Sequence, residues 1–251
     1  MKYHMKKASF LILLANVVIF AMMEIYVLSG HNRNLSYLIL GAQYGPLVKA
    51  GEWFRLFTSM FLHAGLLHIL FNSYALYIFG LLVEEEFGPW RFLTYYLVSG
   101  LAGNVATQIF YYDSLSLGAS GAIFGLIGVQ FSLGLKKETP FFMKSFTGLN
   151  LLPLILFNVL YGFIPGSGVN NAAHIGGFLA GMAFGYFTHL PNTWALQMTN
   201  MLFRRRVRFS DLGRWRKVVL KELIWMATAV FLVILVVSAF GELIRAVRNW
   251  Q

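Results

Sequence analysis

Cysteine is missing from this sequence, and acidic residues number only ten among 251. Without thiols there is neither a disulfide framework nor a thiolate metal site, although the absence assigns no compartment. Charged side chains are scarce overall, at 12% against 58% hydrophobic, and the mean hydropathy is +0.64. A soluble domain of this length carries more charge and has less apolar surface to hide. His63 and His68 are five positions apart and lack a third ligand, so neither a metal nor a cofactor is expected. No internal repeat or low-complexity linker divides the chain, and one membrane domain over residues 1–251 is the economical reading.

What the sequence has instead is long apolar runs. Helices are expected at about 9–29, 64–83, 90–110, 120–135, 147–164, 172–189 and 220–240, where about 20 helical residues cross a ~30 Å hydrocarbon core. The head MKYHMKK resembles the start of a signal peptide. The run behind it is too long for one and has no clean cleavage site, so a retained helix is expected. With the N-terminus inside, fifteen of the twenty lysines and arginines fall on cytosolic segments and five on outer ones. That bias is the positive-inside rule, and it predicts an N-in, C-out chain. The net charge of +10 is then a matter of topology. The block RRRVRF at 204–209 and the cluster Arg214–Lys217 read as an anchor near anionic lipid, within a basic linker over 191–219. A nucleic-acid partner is the weaker reading. Asn192–Phe203 is expected to lie along the cytosolic interface before the seventh helix.

Polar side chains inside a bilayer are costly, which makes each a functional candidate. Ser120, His68 and His174 each stand about sixteen residues from a cytosolic boundary marked by Lys136, Glu84 and the turn at His189–Pro191. At 1.5 Å per residue all three sit roughly 24 Å above that boundary, at one depth in the outer half of the membrane. A serine hydroxyl needs a base to become nucleophilic, and histidine is the usual one near neutral pH. Ser120 at a helix start has free backbone N–H groups beside it that suit a developing oxyanion. Asn72 follows His68 by four residues and shares its helical face. Gly118 and Gly121 let the backbone approach a substrate closely. The plainer alternatives stay open: a serine N-cap, small residues that merely pack, and histidines satisfied in a core.

The stretch GASG at 118–121, with HILFN at 68–72 and AHIGGFLAG at 173–181, resembles the rhomboid intramembrane serine proteases. The resemblance covers roughly residues 9–190. It implies an all-α integral membrane protein with a six-helix core, plus the seventh C-terminal helix at 220–240 found in many members. It also implies Ser120 as nucleophile, His174 as general base, and His68, Asn72 and the backbone around Gly118 as the oxyanion hole. Gly177, Gly181 and Gly185 form a GxxxGxxxG stripe that presses the sixth helix against the fourth. Phe124 falls where the family commonly has an aromatic that stacks on the base. EWFRLFT at 52–58 is similar to the family's first-loop pattern and carries over Arg55 as structural, with Phe54 separating it from Trp53. Glu84 matches a structural acid at the base of the second helix.

No acid matches a third catalytic member, and only Glu24, Glu52 and Asp113 are expected near the outer half. A Ser–His dyad follows. Rival intramembrane chemistries lack their signatures: there is no HExxH, and Tyr112–Asp113 has no GxGD partner. The implied function is hydrolysis of peptide bonds in or beside transmembrane segments, with transmembrane proteins and the bilayer as partners. Entry of the substrate is expected to need movement at the fifth helix or at Phe163–Val169, where glycines make a hinge plausible. A non-cutting binder is disfavoured by Ser120 and His174 occurring together. A channel or transporter is disfavoured by apolar inner halves and the lack of a broken helix pair. The short N-terminus favours a bacterial plasma membrane, with the active site toward the extracytoplasmic side.

Overall fold

A computed structural model describes residues 7–139, 141–144 and 146–188. Among these residues the chain is helical, with a single isolated β-bridge between Gln43 and Ser116 and no strand. The longer helices are α1 Lys7–Leu28, α2 Leu66–Phe87, α3 Pro89–Phe110, α4 Ser120–Leu135, α5 Leu152–Gly162 and α6 Asn171–Phe187. Ala8–Leu28 and Leu66–Phe87 are each long and apolar enough to cross a membrane, whereas Ser120–Leu135 and Gly148–Gly162 are apolar but shorter. The basic linker at 191–219, the interfacial stretch within it and the seventh helix at 220–240 lie outside the described residues.

The helix expected over 147–164 is α-helical over Leu152–Gly162, behind a 3-10 turn at Gly148–Leu151, and the second helix also departs from expectation. α2 continues to Phe87 instead of stopping at 83, so Glu84 sits inside the helix. Gly88, at φ +82°, ends it, as an achiral residue does at a helix C-terminus. The stretch between α1 and α2 also has its own structure: Arg33–Ile39, Gly45–Lys49 and Arg55–Thr58 are short helices, followed by a 3-10 turn at Ser59–Phe61.

Glu84 earns its buried position at the start of the chain. Its Oε1 accepts the N–H of Ala8 at 3.1 Å and its Oε2 that of Ser9 at 2.8 Å. A helix start leaves backbone N–H groups unpaired and a partial positive charge, and a carboxylate answers both. α1 and α2 therefore run antiparallel. α3 runs against α6, since Gly103 packs on Ala173 while Tyr95 Oη lies 2.8 Å from Thr188 Oγ1. α5 also runs against α6: Asn171 Nδ2, at the first residue of α6, donates to Val159 O near the end of α5. The N-terminal ends of α2, α4 and α6 thus gather at one end of the bundle.

α4 is the central helix. Twelve of its sixteen residues are buried, as befits a helix apolar on every side. Its main neighbours are α6 and α3, and Leu126, Val129 and Leu133 are fully buried in the core with Tyr96 and Phe92 of α3 and Leu76 of α2. Close approach to α6 comes from glycine. A methyl group on Gly177 or Gly181 would run into the carbonyl of Gly121 or Gly125, and one on Gly185 would lie 2.6 Å from Val129 O. The partners advance together along both chains, so α4 and α6 are parallel and their first turns are neighbours.

Removing the acceptor that caps α1 strands two buried N–H groups, at about 1–3 kcal/mol each. Glu84→Ala is expected to destabilise the protein by about 2–4 kcal/mol on that basis, read by denaturant unfolding in detergent. Glu85→Ala, at the exposed neighbouring position, is the control and should shift stability by less than about 0.5 kcal/mol.

Candidate active site

Three segments converge at the end of the bundle where α2, α4 and α6 begin. The first is the stretch before α2, held by Arg55. Its buried guanidinium donates from Nη1 to Leu38 O at 2.6 Å and Ala42 O at 3.0 Å, and from Nε to Glu52 Oε2 at 2.7 Å. One side chain thus ties the short helices into a platform, through the planar fork that only arginine supplies. Trp53, by contrast, is exposed. Asn104 of α3 reaches the same platform, donating to Leu56 O at 2.6 Å and Ser59 Oγ at 3.0 Å.

The second segment is the turn into α4. Ser59 O accepts the N–H of Gly118 at 2.9 Å, so the platform sets the height of the chain just before Ser120. Gly118 has φ +138°, a conformation that side chains rarely adopt. A Cβ there would also meet the His68 ring, 2.8 Å from Nε2, with Asn72 Nδ2 at 3.8 Å. His68 and Asn72 therefore flank the backbone of Gly118 from one face of α2. Ala64 N–H donates to His68 Nδ1 at 3.3 Å, so in the neutral ring the proton is on Nε2, the nitrogen beside Gly118. Asn72 Nδ2 is buried with no hydrogen-bond partner among the described residues. Two N–H donors aim at one strip of backbone.

Ser120 is the first residue of α4 and is half-buried. The position before it, Ala119, is the N-cap and has no side chain able to cap. The serine N-cap alternative therefore does not describe this residue, and the first-turn N–H groups of α4 have no side-chain cap.

The third segment is α6. His174 is buried, and its ring stacks on Phe124 with centroids 4.2 Å apart and planes 11° from parallel. Phe124 is one helical turn after Ser120, on the same face of α4. Ala173 packs against Gly121, whose Cβ would lie 3.2 Å from Ala173 O. The imidazole therefore lies against α4 at Phe124, one helical turn after Ser120. His174 Nδ1 is buried without a hydrogen-bond partner among the described residues. Glu24 and Glu52, two of the acids weighed from the sequence, are committed elsewhere, to Arg33 and Arg55.

Ser120, His174, His68, Asn72, Gly118, Gly121, Phe124 and Gly177 are thus near neighbours. Gly181 supports them one turn further down, Arg55 acts through the platform, and Glu84 is at the opposite end of α2. Sequence reasoning missed Asn170, the N-cap of α6, whose Oδ1 accepts from Ala173 N at 3.0 Å. Its signal was present: an asparagine just before an apolar helical run. It also missed Gly103 of α3, which packs on Ala173 and forms the other wall beside α6; no spacing on α3 marked that glycine.

Apolar helices around a partly buried cluster of serine, histidine and asparagine at one end of the bundle define an all-helical membrane protein with a polar site among its helices. Residues 50–191 match the rhomboid domain. The chain is 35% identical over 188 residues to rhomboid protease GluP of Bacillus subtilis (strain 168), covering 74% of this chain and 36% of that one. It is 39% identical over 148 residues to RHOMBOID-like protein 6, mitochondrial, of Arabidopsis thaliana, covering 59% and 48%. Over 144 residues it is 39% identical to RHOMBOID-like protein 2 of the same plant, covering 57% and 45%. The chain belongs to the rhomboid family, and with it to the multi-pass membrane proteins. It spans less than half the length of each of these relatives.

The α4–α6 contact carries a stability test that does not depend on activity. Gly181→Ala sets a methyl group against a backbone carbonyl that has no room to yield. A loss of about 1–3 kcal/mol is expected from overpacking, measured by thermal or denaturant unfolding. An unchanged midpoint would contradict the close helix approach.

Proposed function

We propose that this protein is an intramembrane serine endopeptidase that hydrolyses peptide bonds in or next to transmembrane segments of other membrane proteins. The observation that carries this reading is the His174 ring stacked on Phe124 of α4, one helical turn after a serine whose neighbouring backbone is flanked by two side-chain N–H donors. Membership of a family whose relatives include a named rhomboid protease supports it.

In this reading Ser120 Oγ attacks the scissile carbonyl carbon while His174 takes its proton. The negative charge that develops on the carbonyl oxygen is met by His68 Nε2–H, Asn72 Nδ2–H and the uncapped N–H groups at the start of α4 around Ser120. Collapse of the tetrahedral intermediate breaks the C–N bond, and His174 returns the proton to the leaving amine. Water then attacks the acyl-enzyme with His174 again as base; collapse breaks the ester bond to Ser120 Oγ, which takes back a proton from His174 as the carboxylic acid product leaves. His174 Nδ1 has no hydrogen-bond partner among the described residues, which supports a dyad. Phe124 does that work by stacking on one face. A helical substrate must unwind locally, because its hydrogen-bonded backbone hides the carbonyl carbon from attack.

The charge bias of the sequence supports an N-in chain with the site in the outer half of the membrane. A bacterial plasma membrane, a single domain over 1–251, a six-helix core over 9–190 and a seventh helix at 220–240 with the C-terminus out complete the proposal.

Cleavage of a transmembrane test substrate and labelling by a fluorophosphonate probe test the assignment together. Ser120→Ala should abolish both, and His174→Ala should lower turnover by roughly 10³-fold or more. Labelling that survives Ser120→Ala would remove the nucleophile. Asn72→Ala should lower kcat by about 10²–10³-fold with the fold intact, as expected for loss of one oxyanion donor.

A further inference from the structure

The stretch that precedes Ser120 and the helix that carries His174 are joined by one side chain. Asn170 Nδ2 donates to Ser116 Oγ at 2.9 Å and to Thr107 Oγ1 of α3 at 2.9 Å, while its Oδ1 accepts from Ala173 N at 3.0 Å. Ser116 is four residues before Ser120, and Asn170 is four residues before His174. The link is therefore made at matching distances from the two side chains that have to meet. Its other ends are firm. Thr107 is buried and bonded to Gly103 O at 3.0 Å, and Ser116 is paired in both directions with the backbone of Gln43 at 2.9 Å. A helix cap alone needs only the Oδ1 bond; the two Nδ2 bonds do something else.

Accepting the Ser120–His174 assignment, on which this rests, we propose that Asn170 is a positioning residue that sets the separation of nucleophile and base by fastening the Ser116–Ser120 turn to the start of α6. α4 and α6 are held together below the site by their glycine contacts, and on the loop side the hydrogen bonds of Asn170 join the start of α6 to Ser116. Asn170 closes that side. It touches no reacting atom, and its effect is exerted through the register of two turns. A displacement on the order of 1 Å at a reacting centre costs up to about 10²-fold in rate, so a link of this kind should appear in kcat.

The test uses the full-length protein reconstituted in liposomes, a fluorogenic transmembrane substrate, and four variants: Ser116→Ala, Asn170→Ala, Asn170→Asp and the double Ser116→Ala/Asn170→Ala. Ser116→Ala removes one arm and leaves the cap of α6 in place, so it reads positioning even if Asn170→Ala folds poorly. Both alanine variants should lower kcat by about tenfold with KM within about twofold, the pattern of an interaction needed only in the transition state. The double variant should be no slower than Asn170→Ala, because the two residues share one link. Asn170→Asp keeps the capping oxygen and can accept from the Ser116 hydroxyl, so it should recover most of the rate. The melting temperature of Ser116→Ala should match that of the parent. Ser116→Ala with a kcat within about twofold of the parent overturns the proposal, and so does a fall in kcat that only tracks the melting temperature. Ser120→Ala is run alongside: if it still cleaves, the failure lies in the assignment of the nucleophile.

Discussion

Everything at the polar end of this bundle depends on how closely α4 and α6 approach. Backbone meets backbone at Gly121 and Gly177, at Gly125 and Gly181, and again at Val129 and Gly185. In a lipid environment no hydrophobic force distinguishes helix–helix from helix–lipid contact, so association falls to van der Waals packing at small residues. Because the two helices are parallel and in register, that packing fixes their first turns side by side. His174 comes to lie against α4 at Phe124, one helical turn after Ser120, as a consequence, not through any bond of its own. α3 adds the other wall through Gly103, so α6 is held between two close neighbours.

Rigid packing on one side is matched by hydrogen bonding on the other. The loops over the site pack a small apolar cluster, with Tyr37, Ala42 and Leu62 buried against Phe20 and Met23 of α1, and polar side chains add to that hold. Arg55 gathers the carbonyls of Leu38 and Ala42, Asn104 reaches Leu56 and Ser59, and Ser59 fixes Gly118. Tyr37 holds Ala64 O at 2.8 Å while Ala64 N–H holds the His68 ring. Most of these bonds go to backbone groups in the short helices and loops before α2, where regular pairing is sparse. In the proposed reading such loops hold the uncapped start of α4, whose first-turn N–H groups have no intrahelical partner, at the site. The cost is met by side chains recruited from α3 and from the short helices before α2.

Much of this was legible in the chain itself. Among the described residues, runs of apolar residues near membrane length are helical where they were expected, because in lipid a backbone must satisfy its own hydrogen bonds. The clearest miss in boundary was α2, read as ending at 83. A charged run EEE looks like the end of a span, yet Glu84 is buried against the start of α1 and Glu86 against Gln130 Nε2 at 2.5 Å. A partner distant in sequence turned apparent surface charge into core. The loop before α2 was opaque for a related reason: its short helices are held by long-range hydrogen bonds rather than by periodicity.

The sequence by itself determined the class of protein, the family and the identity of the candidate residues, because hydropathy, charge bias and the GASG, HILFN and AHIGGFLAG stretches are local properties of the chain. It also led to the expectation that Ser120, His68 and His174 share a depth, since helical rise converts residue counts into height. Which helices are neighbours could not be read that way, for rise along an axis says nothing of distance across it. Only the tertiary structure decided that α4 and α6 run in parallel contact, that His68 turns its Nε2 toward Gly118, and that Asn170 joins the turn before Ser120 to the helix of His174. Those facts depend on contacts between residues tens of positions apart, where shape and hydrogen bonding, and no pattern in the chain, select the partner.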